Sequence, residues 1–211
     1  RSGSSVALSD DTVVSGSPWA NVDSDGNQNL DKGGASIHEF SSGSWLATGW
    51  LATGNVDDEQ RIGTRVAVTD NFVALSGTSA SGNYGQVAMF WRTSGGGAYF
   101  LEVIESPAGN TDGRFGFDIA MDDSTEPDRL AVGEPGSAKS GAYSGAVYIF
   151  RYSVASGDFY WEQSPAPDFN QAGHFYGTGV DLQNGRLLAS STYGNQSVSN
   201  VGRMDLFENN S

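Results

Sequence analysis

An all-β fold, a β-propeller of four-stranded antiparallel blades with about four blades in the chain, is what this sequence predicts. Three observations lead there. One pattern returns four times along 211 residues. Each return breaks into short apolar runs separated by polar turns, the mark of strands with one buried face. The composition is that of strands and turns, with 29 glycines and no long Ala/Leu/Glu/Lys stretch.

The first run of each copy reads RSGSSVAL from Arg1, RIGTRVAV from Arg61, RFGFDIAM from Arg114 and FYGTGVDL from Phe175. The copies therefore cover approximately residues 1–60, 61–113, 114–174 and 175–211 of a single repeat domain. Gly3, Gly63, Gly116 and Gly177 hold the register, and Val6, Val66, Ile119 and Val180 stand three residues later. A second run follows a short turn: TVVSGSP, FVALSGT, RLAVGEP and RLLASST. Its small-residue column, Gly16, Ser76, Gly133 and Ser190, predicts a close backbone approach at a strand end. The third run is ASIHEF, GQVAMF, GAVYIF and GRMDLF, closing on Phe40, Phe90, Phe150 and Phe207. A fourth run carries Trp45, Phe100 and Trp161 and is missing from the last copy. The total is fifteen strands. A lone four-stranded sheet cannot bury both faces, so the copies are expected to stack, with the aromatic columns filling the space between blades.

The odd count leaves the GRMDLF strand at a sheet edge. Bare edges invite pairing with another chain. Three outcomes suit it: blunting by Arg203 and Asp205, continuation of the chain, or a strand donated by a neighbour. The last makes self-association into filaments an expected property.

Eleven basic against 25 acidic residues give a net charge of −14. Such a surface repels phosphate backbones, so no nucleic-acid partner is expected. Cysteine is absent, which excludes disulfides and thiolate sites. No apolar run approaches the ~20 residues of a membrane span. A start at Arg1 without a leader suggests a mature fragment or one unit of something longer.

The first three runs together resemble the FG-GAP repeat of integrin alpha-subunit propellers and microbial secreted proteins. The third copy carries the likeness best, in RFGFDIAM, RLAVGEPG and SGAVYIF. Ser2, Ile62 and Tyr176 depart from it at the Phe of Phe-Gly. The resemblance implies an extracellular or cell-surface propeller concerned with adhesion, binding of a protein or glycan ligand, or surface structure. Integrin-like members have seven blades.

The sharpest candidate site is Asn21, Asp23, Asp25, Asn27 and Asn29, oxygen side chains at alternate positions around Gly26. Calcium takes 6–8 oxygen ligands, and such a loop could gather several, so Ca2+ is the cofactor suggested. It resembles the FG-GAP calcium loop, displaced to the second connection, and Lys32 takes the place of a closing glutamate. The alternative is a loop that solvates itself through Asn and Asp side chains. His38 and His174 have no partner in sequence and read as structural. Glu134 and Asp118, near strand ends of the third copy, are the carboxylates a glycosidase would need. Asn195 and Asn209 open two glycosylation sequons. The function expected first is a non-catalytic extracellular module for adhesion or filament structure. The alternatives are a calcium-dependent glycan- or protein-binding propeller and a secreted carbohydrate-active enzyme.

Overall fold

A computed structural model describes residues 2–21, 32–56, 59–78, 84–94, 96–109, 112–168, 171–193 and 202–208. Among them are fifteen strands and no helix, so none is long and apolar enough to cross a membrane. The chain forms two compact units, residues 1–81 with 86–104, and residues 82–85 with 105–211.

The first unit holds two sheets. One is β1 (Val6–Ser9), β2 (Thr12–Gly16), β3 (Ala35–Ser41) and β4 (Ser44–Leu51); the other is β5 (Arg65–Val68), β6 (Phe72–Gly77), β7 (Gln86–Arg92) and β8 (Ala98–Ile104). The second unit holds β9 (Ile119–Asp122), β10 (Arg129–Glu134), β11 (Ala146–Ser153) and β12 (Asp158–Gln163), then a three-stranded sheet of β13 (Tyr176–Gln183), β14 (Arg186–Ser191) and β15 (Arg203–Glu208). Every sheet is an antiparallel meander in chain order. Two-residue turns such as Asn184-Gly185, with φ of 52° and 69°, suit such hairpins because their twist matches that of the strands. The pairing of third and fourth strands slips at the same place in each complete blade, at Ile37/His38, Met89/Phe90 and Ile149/Phe150. A bulge there adds twist to the outer strand.

Within each unit the sheets pack face to face. Val14, Ala35 and Ile37 of the first sheet meet Val66, Leu75 and Phe90 of the second. Ala131, Val147 and Ile149 of the third sheet meet Tyr176, Leu182, Leu187 and Ala189 of the fourth. The small-residue column does two things at these seams. Its carbonyl receives two amides from the Xaa-Gly turn of its own blade: Gly3 and Ser4 on Gly16, Gly63 and Thr64 on Ser76, Gly116 and Phe117 on Gly133, all within 3.0–3.2 Å. Its missing side chain also admits the next blade. A Cβ on Gly16 would stand 2.0 Å from the Gly63 carbonyl oxygen, and one on Gly133 would stand 2.1 Å from that of Gly177.

Three expectations need correction. Phe90 and Phe150 are buried fillers, but Phe40 is 47% exposed, as are Trp45 and Trp161 at about half their surface. The aromatic columns are therefore only partly internal. The third run of the first copy is also shifted by two residues: Val13, Val73 and Leu130 pair with His38, Phe90 and Phe150, so His38 and not Phe40 stands in that column. Arg203 and Asp205 do not guard the β15 edge. Arg203 Nε donates to Asp205 Oδ1 at 2.7 Å, and both charges act on the buried Tyr176 hydroxyl. Burial and then the Asp205 charge push that phenol's pKa far up, with Arg203 opposing.

Gly16→Ala should lower stability by about 3 kcal/mol, because the Gly63 carbonyl and the Ser5 hydroxyl leave nowhere for a methyl group to go. Gly54→Ala, with nothing within 4 Å of the added carbon, should stay within about 0.5 kcal/mol of the parent. Urea denaturation of both variants checks the contrast; equal midpoints would refute the seam constraint.

Candidate functional site

In an antiparallel blade, the end of the second strand, the start of the third, the end of the fourth and the approach to the next blade share one edge. In the second unit this edge gathers the loop after β10, the segment leading into β9 and the segment leading into β13. A cleft of about 240 Å³ opens there, lined by Asp112, Arg114, Pro135, Gly136, Tyr143 and Phe175.

Backbone bonds fix its walls. Residues 142–144 run beside 173–176 through Gly173 N to Ala142 O (2.9 Å), Phe175 N to Tyr143 O (3.0 Å) and Tyr176 N to Ser144 O (3.0 Å). That pairing stacks the Tyr143 and Phe175 rings, with centroids 5.7 Å apart and planes at 25°. Tyr193 meets the edge of Phe175 at 6.0 Å. On the opposite side Gly136 N donates to Gly113 O at 2.9 Å, tying the β10 loop to the segment that bears Asp112 and Arg114. Asp112, Arg114, Tyr143 and Phe175 all have φ between 54° and 63°. The repeat explains part of this, since Glu59 and Arg61 take the same conformation at the places of Asp112 and Arg114. Tyr143 lies in the loop after β10, and left-handed non-glycine residues gather where function constrains the backbone.

Behind the cleft lies Glu134, wholly buried at the end of β10. Gly113, between the lining residues Asp112 and Arg114, makes room for it: a Cβ on Gly113 would stand 2.1 Å from Glu134 Oε1. Neither carboxylate oxygen completes a well-formed hydrogen bond. Burial raises the pKa above the ordinary 4.5, and the nearby hydroxyls of Ser106, Tyr148 and Ser137 pull it back only in part. The Tyr148 phenol is pushed up to about 12, by burial first and then by the Glu134 charge. A carboxyl whose acid form is favoured by burial, beside hydroxyls, is the arrangement general-acid chemistry needs.

Other residues singled out in the sequence have structural work. Asp118 Oδ2 accepts from Val180 N at 2.9 Å, linking β13 to the segment before β9, so it is not a partner of Glu134 at the cleft. Asp122 is used likewise, accepting from Gly185 N at 2.8 Å and from Ser124 N at 3.0 Å. Burial alone would raise its pKa, but the hydrogen bonds from Ser124, Gly185 and Asn184 together lower it. His174 Nδ1 accepts from Gln171 N at 3.1 Å within a turn. His38 is half-buried in β3. Of the proposed calcium ligands, Asn21 is described and makes a contact of its own, whereas Asp23, Asp25, Asn27 and Asn29 lie outside the described residues. Asn195 and Asn209 lie outside them too. Among the described residues no group of three His, Asp or Glu side chains could hold a metal ion.

Sequence reading picked out Glu134 but missed its surroundings. The signal was available by comparing copies: Ser17, Gly77 and Ser191 stand where Glu134 does, and Gln60 and His174 stand where Gly113 does. The third copy replaces a small residue with an acid and a large one with glycine, across the same seam.

Burial of the acid makes a pH-dependent cost. With a folded pKa above the unfolded one, the group's contribution is most favourable below about pH 4.5 and is lost as pH rises through the folded value. Glu134→Gln should therefore become more stable than the parent as pH climbs from 4 to 8. Melting temperatures of the two proteins across that range check it; parallel profiles would refute a raised pKa.

No family model and no curated protein sequence matches the chain. Solved structures do match. A protein from Lactobacillus plantarum aligns at 15% identity and TM-score 0.45, covering 98% of this chain and 55% of that one. A GH43 endo-arabinanase from Bacillus licheniformis aligns at 10% identity and TM-score 0.45, covering 96% and 69%. The periplasmic gluconolactonase of Pseudomonas aeruginosa aligns at 14% identity and TM-score 0.50, covering 99% and 58%. The chain thus spans little more than half the length of the first and third. At such identities the likeness is one of β-propeller fold. The gluconolactonase likeness corrects the expectation of a non-catalytic module to this extent: the propeller fold occurs in an enzyme, so the fold is no ground for excluding catalysis.

Proposed function

We propose that the chain acts as part of a secreted carbohydrate-active enzyme, with the Asp112–Phe175 cleft as its sugar site and Glu134 as its proton donor. The carboxyl of Glu134, buried behind an aromatic-walled cleft with its pKa raised by that burial, carries this reading. The stacked Tyr143 and Phe175 rings offer an apolar wall to the C–H face of a sugar ring. Asp112 and Arg114 offer an acceptor and donors for its hydroxyls.

The reaction class that fits is hydrolysis of a glycosidic bond. The bond between anomeric carbon and leaving oxygen breaks as that oxygen takes the Glu134 proton. Water adds to the anomeric carbon, and its proton passes to the carboxylate of Asp112. Gly113 stands between Glu134 and the cleft, so the hydroxyls of Ser137 and Tyr148 beside the carboxyl are the available relay. Kinship with FG-GAP repeats forms part of the proposal and rests on the third-copy segments RFGFDIAM, RLAVGEPG and SGAVYIF.

Release of reducing ends from a panel of plant and microbial glycans tests the reading. The parent should turn over at least one glycan, and Glu134→Gln should lower kcat about 10²–10⁴-fold. Tyr143→Ala should chiefly raise KM. A parent inert on every glycan, or a Glu134→Gln protein as active as the parent, would sink it.

A further inference from the structure

The two terminal blades leave opposite kinds of apolar face uncovered, and each internal seam shows what covers such a face. In the second unit the third blade presents Ala131, Val147 and Ile149, all at most 3% exposed. Against them the fourth blade lays Leu182, Leu187 and Ala189 of its inner face, with Val180 and Phe207 beside them. The seam in the first unit has the same form: Val14, Ala35 and Ile37 present, and Val66, Val73, Leu75 and Phe90 cover.

The first blade's counterpart of the covering face is Val6, Leu8 and Phe40, which are 70%, 66% and 47% exposed. At the places of Val6, Val66 and Ile119 are 9% and 7% exposed, and Tyr152, whose amide bonds the residue before its second strand as that of Phe40 does, is 8% exposed. The fourth blade's counterpart of the presenting face is Leu188, Met204 and Leu206, 38%, 71% and 61% exposed, where Ala131, Val147 and Ile149 are sealed. Strand pairing puts Leu188 opposite Leu206 on one face of that sheet, while Leu187 and Phe207 point to the other. These are large side chains repeating the pattern of a buried seam, not scattered surface apolars.

We infer that these two faces bind each other between copies of the chain, the Val6/Leu8/Phe40 face of one copy seating on the Leu188/Met204/Leu206 face of another. The contact is heterologous and head to tail, so it extends or closes into a ring according to its rotation. It uses blade faces and leaves the β15 edge free, unlike strand donation. It is independent of the proposed hydrolysis.

Sedimentation velocity on the 211-residue chain across the micromolar range tests it, with Leu8→Glu and Leu206→Glu as variants. Both positions are exposed in the folded chain, so neither substitution removes a buried contact, and unchanged melting curves verify that. The parent should associate with rising concentration, and each variant alone should stay monomeric. Mixed, the two variants should form a dimer and nothing larger, because each keeps the one intact face the other needs. A parent monomeric throughout, variants that associate like the parent, or a mixture that stays monomeric would overturn the inference.

Discussion

Everything in this fold hangs on how closely one blade's backbone can approach the next. At Gly16 and Gly133 the end of the second strand lies against a carbonyl of the following Xaa-Gly turn, with no volume for a methyl group. The same small-residue column collects two amides of its own blade's turn on one oxygen. Turn, strand end and neighbouring blade are thereby locked at a single point. Apolar packing of Val, Ile and Leu then follows from the separation this point imposes. Burial of those side chains supplies most of the driving force, but it is non-directional. The glycine contact chooses the geometry.

The candidate site is a local variation on that contact. Glu134 directly follows Gly133, and Gly113 precedes the Arg114-Phe115-Gly116 turn. In the second blade the bulk lies on the other side, with Gln60 buried and Gly77 across the seam from it. Exchanging which side of the seam carries the side chain turns a structural junction into a chamber holding one carboxyl, two serine hydroxyls and a phenol. Among the described residues the acid has no ion-pair partner, and its raised pKa makes its ionisation work against the fold as pH rises. Retaining it without such a partner is what a functional group embedded in a scaffold does.

Repeat architectures also make absence of burial informative. Where four copies share a pattern, a residue that is sealed in three and bare in one identifies an unfilled position. Phe40 is the instructive case. Sequence pattern aligns it with the fillers Phe90 and Phe150, but strand pairing puts His38 in their column and Phe40 at the place of Tyr152, which is buried where Phe40 is bare. Sequence pattern reports which side chains are suited to burial, but only the arrangement of sheets says whether a partner is there to bury them.

The strand content, the register of the first two runs across the four copies and the tight approach at Gly16 and Gly133 were set by local pattern, because alternation of apolar residues and placement of glycine act over a few residues; the register of the first copy's third run was set by strand pairing. Tertiary structure alone decided the site. Asp112, Glu134, Tyr143, Tyr148 and Phe175 come from separate connections, and their meeting depends on which loops share a blade edge. Their chemistry was equally hidden: the pKa of Glu134 is raised because its side chain is buried at the end of β10, while Asp118, as promising in sequence, spends its carboxylate on the Val180 amide. A carboxyl's role follows from its solvation and its partners, and both are properties of the assembled blades.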